Sequence, residues 1–468
     1  LRTIHRILIG MLAGLFFASG YAARMKCGHH ELRASEKASH CGNDSRMPSF
    51  GLGTPLATTD LESSGNIDFR PIETLYSVLK NIREHYVEQI TAADEGRMTY
   101  EAMKSMLASL KDPDTRFVEP KQRKTIEDAM NCKFHGIGAT LAIQQVKGKD
   151  GIVEHLVVVA PLPASPAEAA GLRPGDDILA VDGKSVLPFD PFIEMKKIAR
   201  DSRTKKTPRS ELEKALRGEE SRIENGIGIM DAESLLTSTD DKEIELTVSR
   251  RGVAKPIKIK LQPRAFTLDP VTSAVVEDGK YGYVKINCLA RNTPRLFDEA
   301  LESLASKNVR GVVVDLRNGA GGEIETAMSI VDRFAPNKTV ALLKRSRNRT
   351  TALKTSGKRG RSVWKLPVVV VVNHGTAQTF EMLAIALRDA AAAKLVGEPT
   401  YGDLTHSTMI DMPDGSAVVM TTGLILSAKG KNYNKTGVPV DVQVASASGR
   451  DAQLVEAVRV LASGKPRS

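Results

Sequence analysis

The chain has 468 residues, 41% of them hydrophobic, enough for two or three globular domains with ordinary cores. Its formal charge of +10 is modest for this length, and aromatic residues at only 4% argue against nucleic-acid binding. Four cysteines do not make a disulfide scaffold.

The N-terminus carries Arg2, His5 and Arg6, an apolar run from Ile7 to Ala18, and small residues through Ala22 and Ala23. This pattern predicts a secretory signal over 1–23, and hence a periplasmic or secreted protein. An uncleaved membrane anchor is the alternative, although the run is short for a full span. Residues 24–67 read as a linker. Within it, Cys27 and Cys41 could pair in an oxidising compartment. With His29 and His30 they fit no standard metal spacing, so neither a metal nor another cofactor is expected. Export also disfavours nucleic acid as a partner.

From 68 to 132 the spacing of apolar residues predicts helices over Ile72–Tyr86 and Met98–Leu110, followed by Asp112-Pro113-Asp114-Thr115-Arg116-Phe117. Residues 133–265 open on Phe134-His135-Gly136-Ile137-Gly138-Ala139 and continue to the ordered string Ser165-Pro166-Ala167-Glu168-Ala169-Ala170-Gly171-Leu172 through Leu179. A charged stretch, Phe192 to Ser238, then precedes the strand Glu243–Val248. It reads as an inserted helical or mobile arm, with helix around Glu211–Arg217. Cys132 and Cys288 sit beside apolar runs and are expected as buried thiols.

Residues 266–445 alternate strands and helices, which predicts a layered α/β core. Tyr281–Ile286 is a strand, and Thr293-Pro294 begins a helix with apolar residues at Leu296, Ala300, Leu301 and Leu304. Val312 to Leu316 leads into Arg317-Asn318-Gly319-Ala320-Gly321-Gly322 and a helix over Glu323–Phe334. A basic run follows: Lys344, Arg345, Arg347, Arg349, Lys354, Lys358, Arg359, Arg361 and Lys365. It is either a solvated hairpin or a contact with an anionic envelope surface. The strand Leu366–Val372 then runs through Gly375-Thr376-Ala377-Gln378-Thr379 into a helix over Glu381–Ala391, and next comes Gly397-Glu398-Pro399-Thr400-Tyr401-Gly402-Asp403. A β-rich run, Ala417–Ser427, leads to Gly437-Val438-Pro439-Val440-Asp441. A helix and tail occupy 446–468.

In this order, the motifs resemble the carboxyl-terminal processing (tail-specific) proteases of peptidase family S41. The resemblance spans about residues 70–460. It implies a crotonase/ClpP-like S41 α/β core, an inserted PDZ domain over 133–265 and an N-terminal helical region. It also implies a Ser nucleophile, a Lys general base and an accessory Gln, at the positions held here by Gln378, Asp403 and Ser407.

A carboxamide is not a useful nucleophile, and Gln378 beside Asp403 reads as a static amide-to-carboxylate hydrogen bond. Thr379 and Thr376 are the fallback nucleophiles, with Lys394, His374 and His406 nearby in sequence. The resemblance places oxyanion-hole-type backbone donors at Gly322 and Thr379, and peptide binding at Gly136, Ile137, Gly138 and Ala139 of the PDZ loop. Two functions stay open. One is a catalytically inactive homologue that binds protein C-terminal tails as a scaffold or adaptor. The other is a serine-type peptidase with a relocated nucleophile.

Overall fold

The computed structural model describes residues 68–149, 151–238, 242–277, 279–346, 349–357, 363–445 and 451–463. The elements and counts below refer to these residues. The sequence features at Cys27, Cys41, His29, His30 and the apolar N-terminal run lie outside them, as do Arg347, Lys358, Arg359 and Arg361.

The C-terminal half is built on six strands: β11 (Val271–Val276), β12 (Tyr281–Ile286), β13 (Val312–Asp315), β16 (Val368–Val372), β17 (Lys394–Gly397) and β20 (Val442–Gln443), in that spatial order. The pair β11–β12 is antiparallel and the remaining pairs are parallel. Parallel strands covered on both faces must be apolar at every position, and Val368 to Val372 is five buried valines in a row. Their alternation divides them between two layers. Val312, Val314, Val368, Val370 and Val372 join the large core formed with helices α8 (Thr293–Ser306), α9 (Ile324–Val331) and α10 (Thr379–Ala391). Val313, Val369 and Val371 face Ala457, Val458 and Leu461 of α11 (Ala452–Ser463) on the opposite side.

A second sheet lies over α10. Its order is β1 (Arg116–Val118), β19 (Ala417–Ser427), β14 (Thr339–Arg345) and β15 (Thr350–Lys354), with β18 (Thr405–Asp411) also paired to β19. The strands β14 and β15 form an antiparallel hairpin that carries Lys344, Arg345, Arg349 and Lys354 of the basic run. Through β1, the segment Asp112–Phe117 is sewn to the core: Thr115 Oγ1 accepts from the Thr421 amide at 3.1 Å.

The PDZ-like part holds the strands β3 (Ala139–Lys147), β4 (Ile152–Pro161), β5 (Asp177–Val181), β6 (Lys184–Leu187), β8 (Ile244–Ser249) and β9 (Ile257–Leu261) around its own apolar cluster. Strand β3 pairs only with β4, which leaves its other edge open. The stretch 192–238 is more ordered than the sequence suggested. It forms α5 (Ile193–Lys205), α6 (Arg209–Glu224), the short strand β7 (Ile227–Gly228) and α7 (Ile229–Leu236). Ile229, Ala232 and Leu236 of α7 are buried in the PDZ cluster, so α7 belongs to the domain and the true insertion is the α5–α6 hairpin.

The entry strand β2 (Lys133–Phe134) pairs with the exit strand β10 (Phe266–Thr267) at the joint between PDZ and core. Here the expectation of two buried thiols fails. Cys132 and Cys288 form a disulfide, with Cα atoms 6.1 Å apart across a sequence separation of 156. Each cysteine does sit in an apolar pocket, with Leu162, Leu268 and Ala290. Sequence neighbours revealed the burial but not that both cysteines share one pocket.

At the N-terminal side, α1 (Arg70–His85) and α2 (Ala92–Ala108) replace the expected Ile72–Tyr86 and Met98–Leu110 with small shifts, and α3 (Pro120–Met130) follows. Thr91 and Asp94 form a reciprocal capping box that fixes where α2 starts. Neither α1 nor α2 buries a residue.

Candidate active site

The strand β16 ends in a tight turn whose last residue, Gln378, has φ 54° and ψ −124° and caps α10. A non-glycine residue with positive φ costs on the order of 1–3 kcal/mol and persists only where its surroundings hold it. The surroundings here are specific. Thr376 Oγ1 donates to the Leu316 carbonyl at 3.0 Å, and the Ala377 amide donates to the Gly319 carbonyl at 2.9 Å. Gly319 lies beneath Phe380, where a Cβ would sit 2.2 Å from the ring. The elbow is thus clamped to the glycine loop of β13.

Glu381, one turn into α10, clamps it from the other side. This fully buried carboxylate accepts from the amides of Gln378 (3.1 Å), Gly402 (2.8 Å) and Asp403 (2.8 Å), and from the hydroxyl of Thr400. Burial outweighs these donors and pushes its pKa up to about 7. Sequence reading did not single out Glu381. The available signal was a lone acid in the first turn of a helix that is otherwise buried and apolar.

The residues inferred for the chemistry do come together. Gln378 Nε2 donates to Asp403 Oδ2 at 2.9 Å. Asp403 also accepts at Oδ1 from the Thr405 hydroxyl at 2.7 Å and from the Thr405 amide at 3.3 Å. A cavity of about 190 Å³ opens beside them, lined by Gly321, Gly322, Gln378, Thr379, His406 and Ser407 among others. No described acceptor takes the backbone N–H of Gly322 or of Thr379. Both donors therefore remain able to hold a carbonyl oxygen or an anion.

The substitute nucleophiles are committed elsewhere. The Thr379 hydroxyl donates to the Gly322 carbonyl at 2.7 Å, and Thr376 is fully buried with its hydroxyl on Leu316. Of the three nearby bases, Lys394 pairs with Asp441, and exposed His374 rests against the ring of Tyr401. His406 lines the cavity with its pKa lowered by burial and by Arg345, so it is neutral at pH 7. Among the described residues no base contacts either threonine hydroxyl.

The PDZ loop is folded onto α7. The Ile137 amide donates to the Leu236 carbonyl at 2.9 Å, and the Gly136 carbonyl accepts from the Arg264 amide. A Cβ on Gly136 would stand 2.2 Å from that same Leu236 oxygen, so glycine is required there. Gly138 packs on Phe266 of the joint, and Ala139 begins β3.

Residues 280–444 match the model of peptidase family S41, and residues 157–205 match a PDZ domain. The solved photosystem II D1 C-terminal processing protease superposes with a TM-score of 0.58 at 26% identity, covering 83% of this chain and 91% of that one. This chain belongs to the carboxyl-terminal processing protease family. Similar relatives include the carboxy-terminal processing protease CtpA of Bacillus subtilis, 27% identical over 81% of this chain and 70% of the relative. Another is the chloroplastic C-terminal processing peptidase of Tetradesmus obliquus, 28% identical over 78% of this chain and 71% of the relative. Within this family member, the elbow, the glycine loop and the PDZ string are retained around a Gln378–Asp403 pair. The described residues hold no group of three His, Cys, Asp or Glu side chains suited to a metal ion.

Proposed function

We propose that this protein is a non-hydrolytic member of the family that engages the C-terminal tails of other proteins and serves as a scaffold or adaptor. The observation that carries the reading is the Gln378–Asp403 hydrogen bond at the elbow. It satisfies both side chains and leaves neither a nucleophile nor a base at the place where the family's chemistry requires them. Tail binding is supported by the open edge of β3, to which an extended peptide can add as a strand. Carboxylate capture at Gly136–Ala139 would require the Ile137 amide to exchange its bond to Leu236. The N-terminal sequence supports export, and the basic run from Lys344 to Lys365 supports contact with an anionic envelope surface.

The test is incubation of purified protein with an unfolded substrate, followed by mass spectrometry. No fragments should form. Cleavage that disappears in Thr379→Ala or Thr376→Ala would overturn the reading and identify a relocated nucleophile. Binding of peptides with free or amidated C-termini tests tail recognition separately.

A further inference from the structure

The Thr405 hydroxyl lies 2.7 Å from Asp403 Oδ1 and 3.2 Å from Asp114 Oδ2. One hydroxyl carries one hydrogen and can donate only once. Both carboxylates are fully satisfied at this one oxygen when one of the two acids is protonated and donates to it. Asp403 is the better-solvated anion, since it already accepts from Gln378 Nε2 and the Thr405 amide. The extra proton belongs on Asp114, which then donates to the Thr405 oxygen.

We infer that Asp114 and Asp403 bind one proton between them, and that this proton latches segment 112–118 to the loop bearing Asp403. The charged groups around Asp114 agree. Asp112 and Arg116 face it from its own segment, and Asp403 and Tyr401 from the site loop, with Glu381 beyond them. Asp112 is occupied in its own turn, accepting from the Asp114 amide and the Thr115 hydroxyl. Burial, then Asp403, push the Asp114 pKa up to about 6, within reach of ordinary changes in the surroundings of an exported protein.

The latched segment is also a bridge. Two residues on, Arg116 pairs with Glu233 of the PDZ helix α7 at 2.9 Å. A cleft of about 550 Å³ lies between α7 and the N-terminal layer, with Asp112, Thr115, Arg116 and Glu233 in its walls. Loss of the proton sets two carboxylates against each other and loosens the segment from the core. The PDZ helix then loses a fixed anchor. This latch is independent of whether the site hydrolyses peptide.

Hydrogen exchange of the full chain, read on peptides covering residues 112–118 and corrected for intrinsic rates, tests the latch. Below the folded pKa of about 6, exchange should rise about tenfold per pH unit, and above it exchange should level off, because the latched state binds the proton more tightly only up to that pKa. Asp114→Asn, whose amide donates as the acid does, should stay slow at both about pH 5 and about pH 7.5. Thr405→Val should be fast at both, and Glu381→Gln should keep the step. A flat wild-type profile, or a full step in Asp114→Asn, would overturn the proposal. If Asp114→Asn does not fold, carboxyl-carbon NMR of aspartate-labelled wild type decides. One aspartate titrating near pH 6 supports the shared proton, and its absence refutes it.

Discussion

At the scale of single residues, the site keeps a costly backbone feature, a non-glycine elbow with positive φ. Gln378 holds φ 54° and ψ −124° only because the glycine loop, Thr376 and Glu381 over-determine the turn. The double variant Gln378→Ser with Asp403→Lys should therefore meet a ready elbow and two free oxyanion donors. We expect it to cleave an unfolded substrate above the background of the parent, and Asp114→Asn added to it should raise the rate further. The reason is electrostatic: a Lys at 403 must lose its proton to act as a base, and an anionic Asp114 would hold the ammonium charged. Glu381→Gln should destabilise the protein by about 2 kcal/mol in denaturant titrations, because an amide N–H₂ would face backbone donors of the elbow and of Asp403.

At the scale of elements, the joint between PDZ and core is a ribbon of two short strands stapled at its base. The Cys132–Cys288 bridge closes a loop with a sequence separation of 156, which contains the whole PDZ-like part. Replacing both cysteines by alanine should lower stability by about 2–5 kcal/mol, measured by chemical denaturation under non-reducing conditions. The bridge has a second effect through Leu289, the residue next to Cys288. A Cβ on Gly322 would stand 2.4 Å from the Leu289 Cβ, so the oxyanion-type loop rests directly on the stapled segment. The same element scale accounts for α7. Its short length and mixed composition hid it within a charged stretch, yet three of its residues complete the PDZ core.

At the scale of the whole molecule, buried acids give the fold a pH dependence of known sign. Glu381 has its folded pKa raised to about 7 from 4.5, and Asp114 to about 6 from 3.8. A raised folded pKa means that the native state binds the proton more tightly than the unfolded chain. This stabilisation is complete below the unfolded values and is lost as pH rises through the folded ones. Its size for Glu381 is about 3 kcal/mol at most, from 1.36 kcal/mol per pH unit. Melting temperature should thus fall between about pH 5 and about pH 7.5, and Glu381→Gln should flatten most of that slope.

The fold family and the order of its strands and helices were legible in the amino-acid sequence. Five consecutive valines at 368–372, the string from Ser165 to Leu179 and the glycines at 319–322 are local signals, each set by short-range sterics or by burial on both faces of a sheet. The Gln378–Asp403 hydrogen bond was legible too, because the family pattern places both residues at one site. Only the tertiary structure decided which groups far apart in sequence share one pocket. Cys132 met Cys288, Arg116 met Glu233, and Asp114 met Thr405 across 291 positions. Such meetings depend on how layers pack, and no local periodicity encodes them. Glu381 was overlooked for the same reason: a carboxylate in a helix reads as solvated until the loop that buries it folds over.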